Sequence, residues 1–150
     1  MACVVYLIEG IMFKLNQTNH ATAVSINHSA VLILGKSGSR KSGFALQLLA
    51  LGGGLIADDK CFIYEKLNQV WVGKPPTLPE VIEVWGYGLI SIMLVKASLV
   101  ALIVNLDDTA KVRSPDPIYF KIRQHKIPVL NKIESSYFPA AIVNILLKPG

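Results

Sequence analysis

The feature that most constrains this chain is the eight-residue loop Gly35-Lys36-Ser37-Gly38-Ser39-Arg40-Lys41-Ser42. It follows the apolar run Ala30–Leu34 and precedes a stretch, Phe44–Leu51, in which apolar residues recur at helical spacing. Strand, glycine/serine loop and helix in that order match the phosphate-loop pattern G-x-x-x-x-G-K-[ST]. Successive backbone N–H groups in such a loop form an anion-binding concavity, and the helix N-terminus adds partial positive charge. The eight residues are therefore the candidate nucleotide-phosphate site, with ATP and Mg²⁺ as the expected ligands. Lys41 is placed to reach the terminal phosphates, and the Ser42 hydroxyl to ligate Mg²⁺. Arg40 stands where the pattern has its second glycine, which normally lets the backbone approach a phosphate without a Cβ in the way.

The rest of the chain reads as the α/β frame such a loop requires. Gly52-Gly53-Gly54 stops the helix, and the strand Leu55–Ala57 ends in Asp58-Asp59. Acidic residues at a strand end beside a phosphate loop are placed to hold Mg²⁺ or to take the proton of an attacking hydroxyl. Further strands are expected at Val4–Ile8, Ala21–Ile26 and Val81–Trp85, the last broken by Gly86-Tyr87-Gly88, with a hairpin from Cys61–Tyr64 and Val70–Val72. The three prolines of Lys74–Pro79 make a loop, Ser114–Pro117 is another breaker, and a final helix runs over Phe138–Leu147 from about Pro139. His20 precedes the strand expected beside the phosphate-loop strand. Glu83 puts a carboxylate inside an apolar strand, where it needs a partner or a metal. His28 and His125 read as surface residues. There is no CxxC, HExxH or G-x-S-x-G, and so no case for a zinc site or a serine hydrolase. Without internal repeats or a linker, residues 1–150 read as one α/β domain with a mixed sheet.

Composition sharpens this. Charged residues are only 17% and apolar residues 52%, with a net charge of +5, against about 25% charged in ordinary soluble domains. Disorder is excluded. The stretch Gly88–Leu106 is long enough to span a bilayer, but Lys96 near its middle costs roughly 2.5–3.5 kcal/mol there. Two buried strands on either side of Lys96-Ala97-Ser98 fit better. The N-terminus has no basic region ahead of its apolar run, and Glu9 interrupts it. A cytoplasmic protein without membrane contact is expected. The bases are scattered except for Lys36, Arg40 and Lys41, so no nucleic-acid partner is expected either. Cys3 and Cys61 read as small buried hydrophobes in a reducing compartment. Buried strands account for part of the charge deficit, and subunit interfaces of a homo-oligomer are expected to account for the rest.

Five blocks taken together carry a family resemblance. They are His20, the loop 35–42, Leu55-Ile56-Ala57-Asp58-Asp59, Val72-Gly73-Lys74-Pro75-Pro76, and Ile82-Glu83-Val84-Trp85-Gly86-Tyr87-Gly88-Leu89-Ile90. In order and spacing, from about Asn19 to Leu130, the chain resembles the C-terminal domain of the HPr kinase/phosphorylase family, bacterial enzymes that phosphorylate a serine of the carrier protein HPr. The last block is similar to the family signature, with Trp85 in place of its arginine. The resemblance implies a short, single-domain version of the family. Its fold would be a P-loop kinase domain with a phosphoenolpyruvate-carboxykinase-like core, usually a hexamer. The implied partner is an HPr-like phosphocarrier, and the implied role is control of carbohydrate metabolism through the phosphotransferase system. By resemblance Asp59 is the catalytic acid/base, His20 supports the acidic pair, and Asp58, Ser42 and Glu83 lie around the metal. Arg40 and Trp85 leave room for a kinase-like interaction module without chemistry, and the loop itself for a small-molecule P-loop kinase.

Overall fold

A computed structural model describes residues 4–5, 13–36, 40–76, 81–92 and 94–147. In chain order the elements are β1 (Val4–Val5), β2 (Gln17–His20), β3 (Thr22–Ile26), β4 (Ser29–Leu34), α1 (Lys41–Ala50), β5 (Gly54–Ala57), β6 (Lys60–Lys66) and β7 (Gln69–Gly73). They continue with β8 (Val81–Val84), β9 (Gly88–Ser91), β10 (Ala97–Thr109), β11 (Ile118–Ile122), β12 (His125–Lys132) and α2 (Phe138–Leu147). The fold is a mixed α/β architecture, as the sequence leads one to expect.

Ten strands make one mixed sheet. Its main path is β1-β11-β12-β10-β4-β3-β5, and β7, β6 and β2 continue it from the start of β10. The thirteen-residue β10 serves both parts: Ala97–Leu99 pair antiparallel with β7, Leu99–Asn105 parallel with β4, and Ile103 onward parallel with β12. The stretch long enough for a bilayer span is thus divided between β9 and β10, with Lys96 exposed between them. Among the described residues no helix is long and apolar enough to cross a membrane.

Residues two apart on a strand share a face. Val24, Val31, Ile33, Leu102 and Val104 meet Phe44, Ala45 and Leu48 of α1, with Phe138 and Ile142 of α2. Ala23, Leu32, Leu34, Ile56 and Ile103 face the other way, onto Cys61, Ile63, Val72, Phe120, Ile127 and Val129. Strands covered on both faces need apolar residues at every position, and this accounts for much of the charge deficit. Helix α1 ends where Gly52 takes a φ of +101° and the Gly53 N–H donates to the Leu48 carbonyl. A Cβ on Gly53 would come within 2.9 Å of that carbonyl and of Val24.

Boundaries lie close to expectation. Helix α1 begins at Lys41, within one residue of the expected start at about Ser42, because the loop runs directly into it. Gly86-Tyr87-Gly88 breaks the strand as expected, and it does so as part of the turn of a separate two-stranded sheet, β8–β9. The expected strand over Val4–Ile8 is described only at Val4–Val5, beside β11; its remainder lies outside the described residues, as does Cys3. His125 is not a lone surface residue. Its Nε2 lies 2.8 Å from Glu65, whose other carboxylate oxygen accepts from Arg123, linking the β6 and β11–β12 turns.

Candidate active site

The C-terminal ends of β4, β5, β10 and β12 lie along one edge of the sheet, because these four strands run in the same direction. The phosphate loop leaves β4 at Gly35 and enters α1 at Lys41. Ser37, Gly38 and Ser39 lie outside the described residues. Arg40 has φ 70° and ψ 37°, the left-handed conformation that favours glycine. The substitution therefore keeps the backbone turn of the pattern, at a local cost of about 1–2 kcal/mol, with an exposed side chain. Arg40, at the N-cap of α1, makes no side-chain cap hydrogen bond, and no acidic residue stands in the first turn. The first N–H groups of a helix lack intrahelical acceptors and suit an anionic one. Lys41 Nζ donates to the Gly35 carbonyl at 2.7 Å, folded back over the loop. The Lys36 N–H donates to Asp107 at 3.1 Å. Asp107 is oriented in turn by the nearly buried Asn105, whose side chain accepts the Asp107 N–H and donates to Asp108.

The acidic pair lies on the β3–β5 side of this loop. Ser42 Oγ donates to both oxygens of Asp58, at 2.8 and 3.0 Å. Thr22 Oγ1 donates to Asp58 at 3.0 Å and accepts the Asp59 N–H at 3.0 Å. Thr22 is fully buried, so its hydroxyl spends its proton on one member of the pair and a lone pair on the other. Asp59 is in a left-handed conformation, φ 68°, one that aspartate tolerates, and its carbonyl accepts the Ala21 N–H. The two acids differ as a result. Asp58 is half-buried and held against the loop serine, while Asp59 is exposed and its side chain has no hydrogen-bond partner among the described residues.

His20 stands at the end of β2, in register with Lys60. Its ring is exposed and makes no hydrogen bond among the described residues. The side chain that joins the acidic pair is Thr22, which carries no sequence signal of a site. Glu83 is exposed on β8 but shares a narrow cleft of about 170 Å³ with Asp58, Lys74 and Leu89. Trp85 is at the β8–β9 turn, 94% exposed. Cys61 is no candidate nucleophile, because burial pushes its thiol up to about 12.

The model of the HPr Serine kinase C-terminal domain family matches residues 12–139. The chain belongs to this family. It is 37% identical over 97 residues to the HPr kinase/phosphorylase of Lacticaseibacillus casei, covering 59% of this chain and 30% of that protein. It is 41% identical over 78 residues to the one of Lactiplantibacillus plantarum, covering 51% and 25%. The chain thus spans less than a third of the length of the curated relatives it matches. Its fold is similar to the Hpr(Ser) kinase/phosphatase structure from Coxiella burnetii, with a TM-score of 0.72 at 23% identity over 87% of this chain and 88% of that one.

In this member of the HPr serine kinase C-terminal domain family, the residues present fit a phosphate group at α1, since Arg40 at its N-cap makes no side-chain cap hydrogen bond and the nearby acid Asp58 is engaged by the Ser42 hydroxyl. They also fit a divalent cation shared with that phosphate. Among the described residues no three His, Cys, Asp or Glu side chains are close enough to hold a metal by themselves. Mg²⁺ in phosphoryl-transfer sites is commonly held by one or two protein oxygens, with phosphate oxygens and waters completing the shell. Ser42 and Asp58 are the residues that would offer such oxygens, and Glu83 shares a cleft with Asp58.

Proposed function

We propose that this domain is an ATP- and Mg²⁺-dependent protein serine kinase whose substrate is an HPr-like phosphocarrier. The observation that carries the reading is the link from Ser42 through Asp58 and Thr22 to Asp59. It joins the loop that would bind the donor to the acid that would activate the acceptor.

In this reading ATP supplies the phosphoryl group and Mg²⁺ offsets its charge. The N-terminal N–H groups of α1 and the Lys41 ammonium bind phosphate oxygens, with Lys41 leaving the Gly35 carbonyl to do so. Ser42 and Asp58 hold the cation, and Glu83 adds negative charge from the β8–β9 hairpin. Asp59, exposed and with no side-chain partner among the described residues, takes the proton of the substrate serine hydroxyl as its oxygen attacks the γ-phosphorus and ADP leaves. His20 precedes Ala21, whose N–H donates to the Asp59 carbonyl, and would act from the rim. The same reading expects a homo-oligomer, hexameric by resemblance. Trp85, Tyr87 and Leu89, large and exposed on one hairpin, are apolar surface that an assembly would cover.

Incubation of the chain with γ-labelled ATP, Mg²⁺ and an HPr-like carrier tests the proposal. Label is expected on a carrier serine and is lost when that serine is replaced by alanine. Label on a metabolite but never on the carrier would point instead to a small-molecule kinase. No transfer to either, despite nucleotide binding, would leave an interaction module.

A further inference from the structure

The phosphate loop is tied to the sheet at both ends. At its helix end Ser42 meets Asp58. At its strand end the Lys36 N–H donates to Asp107 Oδ1 at 3.1 Å. Asp107 comes from β10, which runs parallel with β4 as far as the pair Asn105 and Leu34. On its other side β10 then slips against β12: Asn105 is opposite Asn131, but Thr109 is opposite Lys132. Residues 106–108 are therefore extra, and the bulge closes where the Ala110 N–H donates to the Lys132 carbonyl at 2.8 Å. A bulge re-aims the side chains it contains. Asn105, only 2% exposed, holds this one in shape. Its side-chain oxygen accepts the Asp107 N–H at 3.0 Å, and its amide donates to Asp108 at 3.1 Å.

We propose that Asn105 and Asp107 are positioning residues for the phosphate loop: Asn105 sets the bulge, and Asp107 fixes the loop's first residues through the Lys36 N–H. The proposal rests on the reading of the loop as a nucleotide site. Three observations carry it. A carboxylate beside an anion-binding loop repels phosphate, so its place there is explained by what its own hydrogen bond does. A backbone N–H bound to a carboxylate makes a charge-assisted bond, stronger than one between neutral groups. The second observation is the state of Lys41. Its ammonium holds the Gly35 carbonyl, a tie that is given up when Lys41 turns to a phosphate. Asp107 then remains as the side-chain hold on the loop's strand end among the described residues. The third is the burial of Asn105. It follows the buried apolar residues Ile103 and Val104, and a buried amide costs stability unless its polar atoms are satisfied. Its oxygen and its nitrogen are both spent on the bulge that carries Asp107.

Calorimetry of Mg·ATP binding to the full chain, with hydrogen exchange of the Lys36 amide and chemical denaturation of each variant alongside, tests the proposal. Asp107→Ala removes the acceptor. It should speed exchange at Lys36 and weaken Mg·ATP about fivefold. Asp107→Asn keeps an oxygen for the same N–H while removing the charge, and should bind Mg·ATP within about twofold of the wild type. That rescue separates positioning from direct work on the cation, which would make asparagine as damaging as alanine. Asn105→Ala should weaken Mg·ATP by a similar factor. Combined with Asp107→Ala it should cost no more than the worse single change, because both act through one contact. Should Asn105→Ala lose cooperative unfolding, the two Asp107 variants decide alone. Unchanged Mg·ATP affinity in Asp107→Ala would overturn the proposal, as would equal losses in the alanine and asparagine variants or additive losses in the double variant. Unaltered Lys36 exchange in Asp107→Ala would also overturn it, while leaving the nucleotide reading intact. A wild type that binds no Mg·ATP would bring down that reading, and the positioning role with it.

Discussion

Asp58 and Glu83 face one cleft, yet they are held in opposite ways. Asp58 sits at the end of a strand in the main sheet and accepts hydrogen bonds from two hydroxyls, one of them fully buried. Glu83 is carried by a two-stranded hairpin with its own small sheet. That hairpin is anchored to the core by Ile82, and it exposes Trp85, Tyr87 and Leu89. An isolated hairpin is marginal in water. The acid side of the loop is therefore oriented before any ligand arrives, while Glu83 depends on how well its hairpin docks. The difference separates residues whose loss disturbs the fold and the chemistry together from residues whose loss is felt only when a ligand is present.

Thr22→Val is the sharpest way to break the first region. It leaves Asp58 short of a donor and the Asp59 N–H short of an acceptor in a buried place, at an expected cost of about 1–3 kcal/mol in chemical denaturation, with a lower kcat for transfer. Thr22→Ser keeps the hydroxyl and should restore kcat, an outcome that a purely packing role would not give. Next in size is Arg40→Gly. Relief of a left-handed non-glycine residue should raise stability by up to about 1 kcal/mol, and a loss of stability instead would contradict the backbone assignment. Glu83→Gln should change stability by less than about 0.5 kcal/mol but raise the Mg²⁺ concentration for half-maximal activity about tenfold. Trp85→Ser should be equally mild for the fold, and its readout is a smaller assembly by light scattering. Smallest in effect on function is Cys61. Its thiol should resist alkylation until the chain unfolds, because burial holds its proton to about 12. The folded state thus keeps a proton that the unfolded chain releases above about 9, and stability should fall as pH rises from there toward 12.

Much of the frame is readable from local signals. Continuous apolar runs mark β4, β5 and β10 as strands covered on both sides, and the glycine/serine loop and Asp58-Asp59 mark the sheet edge where chemistry gathers. The missed parts lack such signals. Strand β2, Gln-Thr-Asn-His, is polar and is a strand only because β6 lies beside it. The hairpin of β11 and β12 turns at Arg123 in a left-handed conformation, without a glycine to announce it, and β12 contains Pro128. That proline is tolerated because pairing with β10 starts one residue later, at Val129. Thr22 is invisible as a site residue because its partner Asp58 is 36 positions away. Asp107 is hidden in the same way, 71 positions from Lys36. Contacts of this kind come from strand order, which composition and spacing do not specify.

The central claim is that Asp59, whose N–H is held by Thr22 and whose side chain is exposed, takes the proton of a substrate serine. Single-turnover transfer from γ-labelled ATP to an HPr-like carrier, measured for the wild type and Asp59→Asn with ATP binding followed in parallel, tests it most directly. The account predicts that Asp59→Asn binds Mg·ATP within about twofold of the wild type but transfers about 10²–10⁴ times more slowly. Equal transfer rates for the two proteins would contradict it.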